Sequence, residues 1–220
     1  TLNITEKDIV KGDVEIPTYR ALYIDGLAKN NDSDLAIKLD DKFKDIVKNI
    51  KDIEDVKYEE PEELKGVLRE YQKTGFNWLK TLEKYGFGGI LADDMGLGKT
   101  IQIIALLLDE KKRTSKTSIV VCPSSLYINW EKEIKRFSNN MKTLIISGNA
   151  DQRENLIEKI PDYDVIITSY DLLKRDIEKY KNYRFKYVIA DEAQYIKNNN
   201  TKNAKALKDL KSEVRFALTG

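Results

Sequence analysis

Histidine does not occur in the 220-residue sequence. A histidine general base and a histidine-ligated zinc site are therefore both excluded. Cysteine occurs once, as Cys122, so no internal disulfide can form; a lone thiol fits a reducing compartment. No apolar run comes near the roughly 18 residues that a membrane-spanning helix needs. The first residues, Thr1-Leu2-Asn3-Ile4, have neither the basic start nor the apolar core of a secretory signal. An initiator methionine is missing too, so the chain reads as a piece of something longer. Nor is there an excess of one charge: 38 Lys and Arg against 37 Asp and Glu give a net charge of +1. With that balance no global field draws in nucleic acid, and any such contact must come from local groups.

What is present suits one α/β domain with additional sequence. Hydrophobic residues make up 41% and charged residues 34%, enough for a core under a heavily solvated surface. Residues 1–60 differ from the rest. They carry strand-like pieces (Val14-Glu15-Ile16 and Leu22-Tyr23-Ile24) and a helical stretch from about Asp41 to Ile53, with Phe43, Ile46, Val47, Ile50 and Ile53 at helical spacing. Between Lys51 and Lys65 seven carboxylates stand against three lysines, with Pro61 inside, which predicts an exposed acidic linker.

From Glu62 onward, helix and strand patterns alternate. Leu68 to Lys84 reads as a helix with Leu68, Tyr71, Gly75, Trp78, Leu79 and Leu82 on its apolar face. Strands are expected at Gly88–Ala92, Ser118–Cys122, Thr143–Ile146, Val165–Thr168, Tyr187–Ala190 and Arg215–Leu218. Lys99 to Leu108 is apolar on most sides and predicts a buried helix; Leu126, Trp130, Ile134 and Phe137 mark another. Alternation of this kind builds a mainly parallel sheet with helices on both faces.

Two stretches carry chemistry. Asp93-Asp94-Met95-Gly96-Leu97-Gly98-Lys99-Thr100 lies between an apolar strand and an apolar helix. Glycines in that setting let backbone N–H groups close around phosphate oxygens, and the helix N-terminus adds its positive end. Lys99 would then reach the β- and γ-phosphates, with the Thr100 hydroxyl on Mg²⁺. The general phosphate-loop pattern has glycine where Asp93 stands. The second stretch is Asp191-Glu192-Ala193-Gln194, at the end of a strand-like run. Carboxylates at the C-terminal end of a parallel strand face the ligand crevice. Asp191 is placed for the Mg²⁺ shell and Glu192 to orient and deprotonate a water.

These motifs and their order resemble the Swi/Snf-related ATPases of the helicase superfamily, the bacterial branch in particular. Leu68-Arg69-Glu70-Tyr71-Gln72-Lys73-Thr74-Gly75 looks like that family's Q-type motif. Ile90 to Thr100 matches its motif I, in which an aspartate at the place of Asp93 is usual. Val121-Cys122-Pro123-Ser124-Ser125-Leu126, with Asn129, Trp130 and Glu133, is similar to motif Ia, and Thr168-Ser169-Tyr170 to motif Ib. Asp191-Glu192-Ala193-Gln194 is similar to motif II, with glutamine where many relatives have histidine, and Leu218-Thr219-Gly220 to the start of motif III.

The resemblance spans residues 62–220 and implies a first RecA-like lobe (residues 61–220) cut at motif III. For residues 1–60 it assigns no motif; the end of a preceding domain plus the acidic linker is the reading open for them. It implies ATP and Mg²⁺ as cofactors, with Gln72, Gly96, Leu97, Gly98, Lys99 and Thr100 on the nucleotide and Thr100 and Asp191 on the metal. Glu192, Lys99 and Gln194 would be catalytic, with Gln194 connecting the ATP site to motif III. It also implies movement on double-stranded DNA, with Ser124, Ser125, Thr168, Ser169 and Lys197 touching phosphates, contacts that carry no sequence information. Trp130 reads as core packing, and Lys202, Lys205, Lys208 and Lys211 as a solvated helix face. A second RecA-like lobe with arginine fingers is a further implied partner, so this chain alone is expected to be nearly inactive as an ATPase. A bacterial, cytoplasmic and nucleoid-associated setting is implied as well. An RNA helicase lobe and a nucleotide-binding module without turnover are the alternatives.

Overall fold

A computed structural model describes residues 9–10, 13–14, 41–51, 57–114 and 116–220. Two short strands, β1 (Ile9–Val10) and β2 (Asp13–Val14), pair antiparallel, and α1 covers Asp41–Lys51. Of the early expectations, Val14 falls in β2, while Glu15, Ile16, Leu22-Tyr23-Ile24 and Ile53 lie outside the described residues.

The main body is built from α2 (Glu70–Lys84), β3 (Gly89–Leu91), α3 (Lys99–Arg113), β4 (Ser118–Cys122), α4 (Tyr127–Phe137) and β5 (Thr143–Ile145). It continues through α5 (Ala150–Ile157), β6 (Val165–Ser169), α6 (Tyr170–Tyr180), β7 (Arg184–Ala190), α7 (Lys202–Asp209) and β8 (Lys211–Leu218). The six strands β3 to β8 form one sheet in the order β3-β8-β7-β4-β6-β5, with every pairing parallel. This is the α/β arrangement expected from the alternating pattern.

The pleat sorts the core. Val120, Cys122, Val165, Ile167, Tyr187, Ile189, Val214 and Phe216 point to one side, where α2, α3 and α4 cover them through Phe76, Leu79, Leu106, Trp130 and Ile134. Ile119, Val121, Ile166, Phe185 and Val188 point to the other, against α5, α6 and α7 through Ile157, Leu173, Tyr180 and Leu207. Because both faces are covered, β4 and β6 are buried at every position, which is why Ile119–Cys122 and Val165–Ile167 read as unbroken apolar runs. The α3 helix is the most enclosed: Gln102 through Leu108 and Glu110 are all buried. The apolar face of α2 runs through Phe76, Leu79 and Leu82; Tyr71, expected on it, is exposed.

At the edge where the strands begin, a cluster of charges ties α2, α3, β7 and β8 together. Glu83 accepts from Lys80 (2.7 Å), Lys186 (2.9 Å) and Arg113 (2.8 Å). Lys80 also reaches Asp109 (2.6 Å), Arg113 reaches Glu110 (2.9 Å), and Lys186 reaches Glu213 (3.0 Å). Burial would raise the Glu83 carboxyl, but the hydrogen bonds from Lys80, Lys186 and Arg113 outweigh it and hold it at about 2. A carboxylate depressed in this way stabilises the fold fully above its unfolded value of 4.5, and that contribution is lost as pH falls toward 2. Glu83→Gln is expected to cost about 3 kcal/mol at neutral pH, since it leaves buried cations short of a partner. The gap to wild type should narrow below about pH 4.5 and close near pH 2. Denaturant melts of both proteins across that range check it, and a gap independent of pH would be the wrong result.

Candidate nucleotide site

The β3 strand ends at Leu91 and α3 starts at Lys99, so the intervening loop has to turn sharply at the C-terminal edge of the sheet. Gly96 and Gly98 make that turn with φ of 83° and 79°. At Gly98 a Cβ would also come within 2.4 Å of Gln72 Nε2, so only glycine fits. No side chain caps α3, which leaves its first-turn N–H groups facing the loop. Lys99 folds over the loop and donates to the carbonyls of Asp93 (2.7 Å) and Asp94 (3.2 Å). The Asp93 carboxylate accepts from Gln102 Nε2 at 3.1 Å, which gives this departure from the general pattern a partner inside the lobe. Gln72 is buried beside the loop; its side chain accepts from the Arg69 N–H (3.0 Å) and donates to the Leu97 carbonyl (3.0 Å).

Across the cleft stands the turn after β7. The Asp191 N–H donates to the Val121 carbonyl at 2.8 Å, which fixes the turn to the end of β4. The Asp191 carboxylate accepts the Trp130 indole N–H (2.8 Å) on one oxygen and the Glu192 backbone N–H (2.9 Å) on the other. Burial pushes the Asp191 carboxyl up; the Trp130 and Glu192 N–H bonds pull it back, the Glu192 charge adds to the rise, and Lys99 opposes it. Glu192 has φ 52° and ψ 56°, the only positive φ outside glycine among the described residues. Its carboxylate accepts from Gln194 Nε2 at 2.6 Å. Gly220 closes the site from the end of β8: a Cβ there would lie 3.3 Å from Lys99 Nζ.

A cleft of about 390 Å³ brings Gly96, Gly98, Lys99 and Thr100 together with Asp191 and Glu192. Its donor set fits a nucleotide and Mg²⁺: uncapped helix amides and an ammonium for phosphates, and a hydroxyl and a carboxylate as the hard oxygen ligands Mg²⁺ takes. Asn129 and Glu133 of α4 also line it, a placement the sequence reading did not make. The signal was there, because they sit one turn apart beside the buried pair Trp130 and Ile134.

The residues expected to touch DNA divide. Ser124 and Ser125 are exposed in the 3-10 turn after β4, and Lys197 is exposed after motif II. Thr168 is not available: it is wholly buried and its hydroxyl donates to the Ile146 carbonyl at 3.1 Å. A strand buried on both faces leaves none of its side chains at the surface, which corrects the expectation for Thr168. The Ser169 side chain is also buried, and its hydroxyl caps α6 by accepting the Leu172 N–H at 3.2 Å. Lys202, Lys205 and Lys208 are exposed on α7, as a solvated helix face requires; Lys211 is exposed too but opens β8 and is not on the helix. Trp130 is a core residue, and it has a polar role beside that one.

Comparison with known proteins agrees with this arrangement. The SNF2-related domain family matches residues 71–220, and a second family, described as bacterial SNF2 helicase associated, matches residues 1–61. An uncharacterized ATP-dependent helicase of Mycoplasma genitalium is 41% identical over 155 residues, which is 70% of this chain and 15% of the relative. The TATA-binding protein-associated factor MOT1 of Saccharomyces cerevisiae is 37% identical over 173 residues, 73% of this chain and 9% of its own. The SWI2/SNF2 ATPase core of Sulfolobus solfataricus, solved in complex with dsDNA, superposes with a TM-score of 0.69 at 44% identity and covers 75% of this chain and 34% of that one. The chain thus spans only a minor part of each of these relatives. With a phosphate loop, a motif II turn and a parallel sheet in the matching order, the chain belongs to the SNF2-related family.

Proposed function

We propose that this chain is the ATP-binding lobe of an ATPase that moves along double-stranded DNA. The observation that carries the reading is the single cleft shared by Gly96, Gly98, Lys99, Thr100, Asp191 and Glu192. ATP would rest its phosphates on the uncapped start of α3. Lys99 would exchange its bonds to the Asp93 and Asp94 carbonyls for bonds to β- and γ-phosphate oxygens. Gln72, beside Leu97, is the residue proposed to read the adenine edge. The Thr100 hydroxyl and Asp191 carboxylate would hold Mg²⁺, which supplies charge neutralisation across the β- and γ-phosphates. Glu192 would orient a water and accept its proton. Gln194, bonded to Glu192, would connect that carboxylate to motif III at Thr219 and Gly220.

Ser124, Ser125 and Lys197 lie exposed after β4 and β7 and are the proposed contacts to DNA phosphates. Duplex DNA as the partner is supported by the SWI2/SNF2 ATPase core that was solved on dsDNA. None of the described residues lining the cleft is an arginine. A second RecA-like lobe is proposed to bring arginines to the γ-phosphate. Residues 1–60 are proposed to belong to an associated segment preceding the lobe. Among the described residues no helix is long and apolar enough to cross a membrane; a cytoplasmic, nucleoid-associated location is part of the proposal.

Lys99→Ala should weaken ADP binding about ten- to hundredfold, the worth of a hydrogen bond to a charged group, while Glu192→Gln should leave binding intact and slow turnover about 10²–10⁴-fold. Calorimetry and a steady-state phosphate assay separate the two effects; equal ADP affinity for wild type and Lys99→Ala would count against the cleft as the site. Duplex DNA should stimulate the full-length ATPase more than RNA does, and DNA binding by the 220-residue chain should be weak, with log K falling against log salt by only about 0.9 per phosphate neutralised. Stronger stimulation by RNA would favour the RNA helicase alternative. The 220-residue chain by itself should hydrolyse ATP slower than the full-length protein by about 10³–10⁵-fold, the usual worth of an arginine finger. Rates within about tenfold of each other would mean that residues 1–60 supply the missing cation or that the two-lobe reading is wrong.

A further inference from the structure

Asp191 is held at more points than a metal ligand needs. Its N–H goes to Val121, its carbonyl accepts the Tyr170 hydroxyl at 2.7 Å, and its two carboxylate oxygens accept from Trp130 and from the Glu192 N–H. We infer that Trp130 and Tyr170 are positioning residues that set Asp191, and through it Glu192, for the metal and the attacking water. This rests on the ATPase reading above.

One Asp191 oxygen receives the Glu192 N–H, and this bond closes a turn in which Glu192 takes a left-handed conformation. An ordinary side chain adopts that conformation only where its surroundings hold it. For the bond to persist, the carboxylate plane has to stay fixed, and the group that fixes it is the indole on the other oxygen. Trp130 is suited to this because its ring is wholly buried in the core beneath α4 and has no freedom to follow a rotating carboxylate. Each carboxylate oxygen has two lone pairs, so accepting one N–H leaves capacity for a metal ion. The chain of bonds therefore runs from the Trp130 indole through the Asp191 carboxylate to the Glu192 backbone, and it aims both acidic groups at once.

Tyr170 braces the same turn from the opposite side of the sheet. Its hydroxyl holds the Asp191 carbonyl, and its ring stacks on Tyr195 with centroids 5.5 Å apart and planes 1° from parallel. One buried ring thus grips both ends of the 191–195 turn. The two braces originate at informative places. Trp130 sits on α4, just after the exposed Ser124 and Ser125, and Tyr170 opens α6, directly after β6. Each is anchored in a segment that leaves the sheet on the edge where DNA is proposed to lie.

The test uses the full-length protein in three forms beside wild type: Trp130→Phe, Tyr170→Phe, and Trp130 replaced by its benzothiophene analogue, which keeps the ring shape and lacks the N–H. ADP affinity is measured by calorimetry in EDTA and across a Mg²⁺ series, with a thermal melt of each protein. Loss of a hydrogen bond that orients a metal ligand typically weakens metal binding about 10–100-fold. Both Trp130 replacements should therefore raise the Mg²⁺ needed for half-maximal enhancement of ADP binding by that factor, with ADP affinity in EDTA unchanged; Tyr170→Phe should shift it in the same direction. If the benzothiophene protein keeps the wild-type Mg²⁺ dependence, the inference is overturned, whatever happens to the melting temperatures. A wild-type protein whose ADP affinity ignores Mg²⁺ would overturn the ATPase reading and this inference together, and that result is recognisable before any variant is made.

Discussion

Because all six strands of the main sheet run the same way, every strand-to-helix turn opens on one edge and every helix-to-strand turn on the other. That constraint brings the loop after β3, the turn after β4, the turn after β7 and the end of β8 to the same place. Helix N-termini arrive there with their unpaired N–H groups, and acidic side chains at strand ends face them. The cleft is a consequence of strand direction before it is a consequence of any single residue. The residues proposed to supply the chemistry are near neighbours in space although motif I and motif II lie far apart in the chain, because β3 and β7 are separated by β8 alone.

The opposite edge is organised by charge. Glu83, Glu110, Lys80, Arg113 and Lys186 meet there with partly or wholly desolvated side chains. Such a cluster holds only while each member keeps its partners, and this distinguishes it from exposed pairs such as Lys44–Asp41, whose contribution is small. Binding groups and fastening groups are therefore at different ends of the sheet.

Sequence periodicity made the sheet and most helices legible, because burial on both faces leaves runs such as Ser118–Cys122 with no other explanation. It failed where charged residues are buried in company. The β8 strand begins at Lys211 and not Arg215, and α3 continues past Leu108 to Arg113. Both added stretches are rich in charge, and Lys186, the ion-pair partner that Glu213 and Glu110 share, is remote from them along the chain. In the site, the glycines, Lys99, Thr100 and the acidic pair were legible because their spacing encodes local geometry. Thr168 was misjudged because a hydroxyl in a motif says nothing about whether its strand is covered. The polar side of Trp130 was missed because apolar spacing explained the residue fully, although a buried indole N–H generally needs an acceptor.

The enclosure of α3 bears on how such a lobe could do work. The helix that carries Lys99 and Thr100 is buried from Gln102 to Leu108, and close-packed interiors transmit displacement and do not absorb it. The body of α3 is thus fixed to the core, while the loop before it is exposed from Asp94 to Leu97. Met95, 84% exposed in the loop, stands outside that frame. A displacement of the start of α3 would therefore pass into the sheet through the side chains packed on Gln102 to Leu108, and the exposed loop before it would be free to adjust.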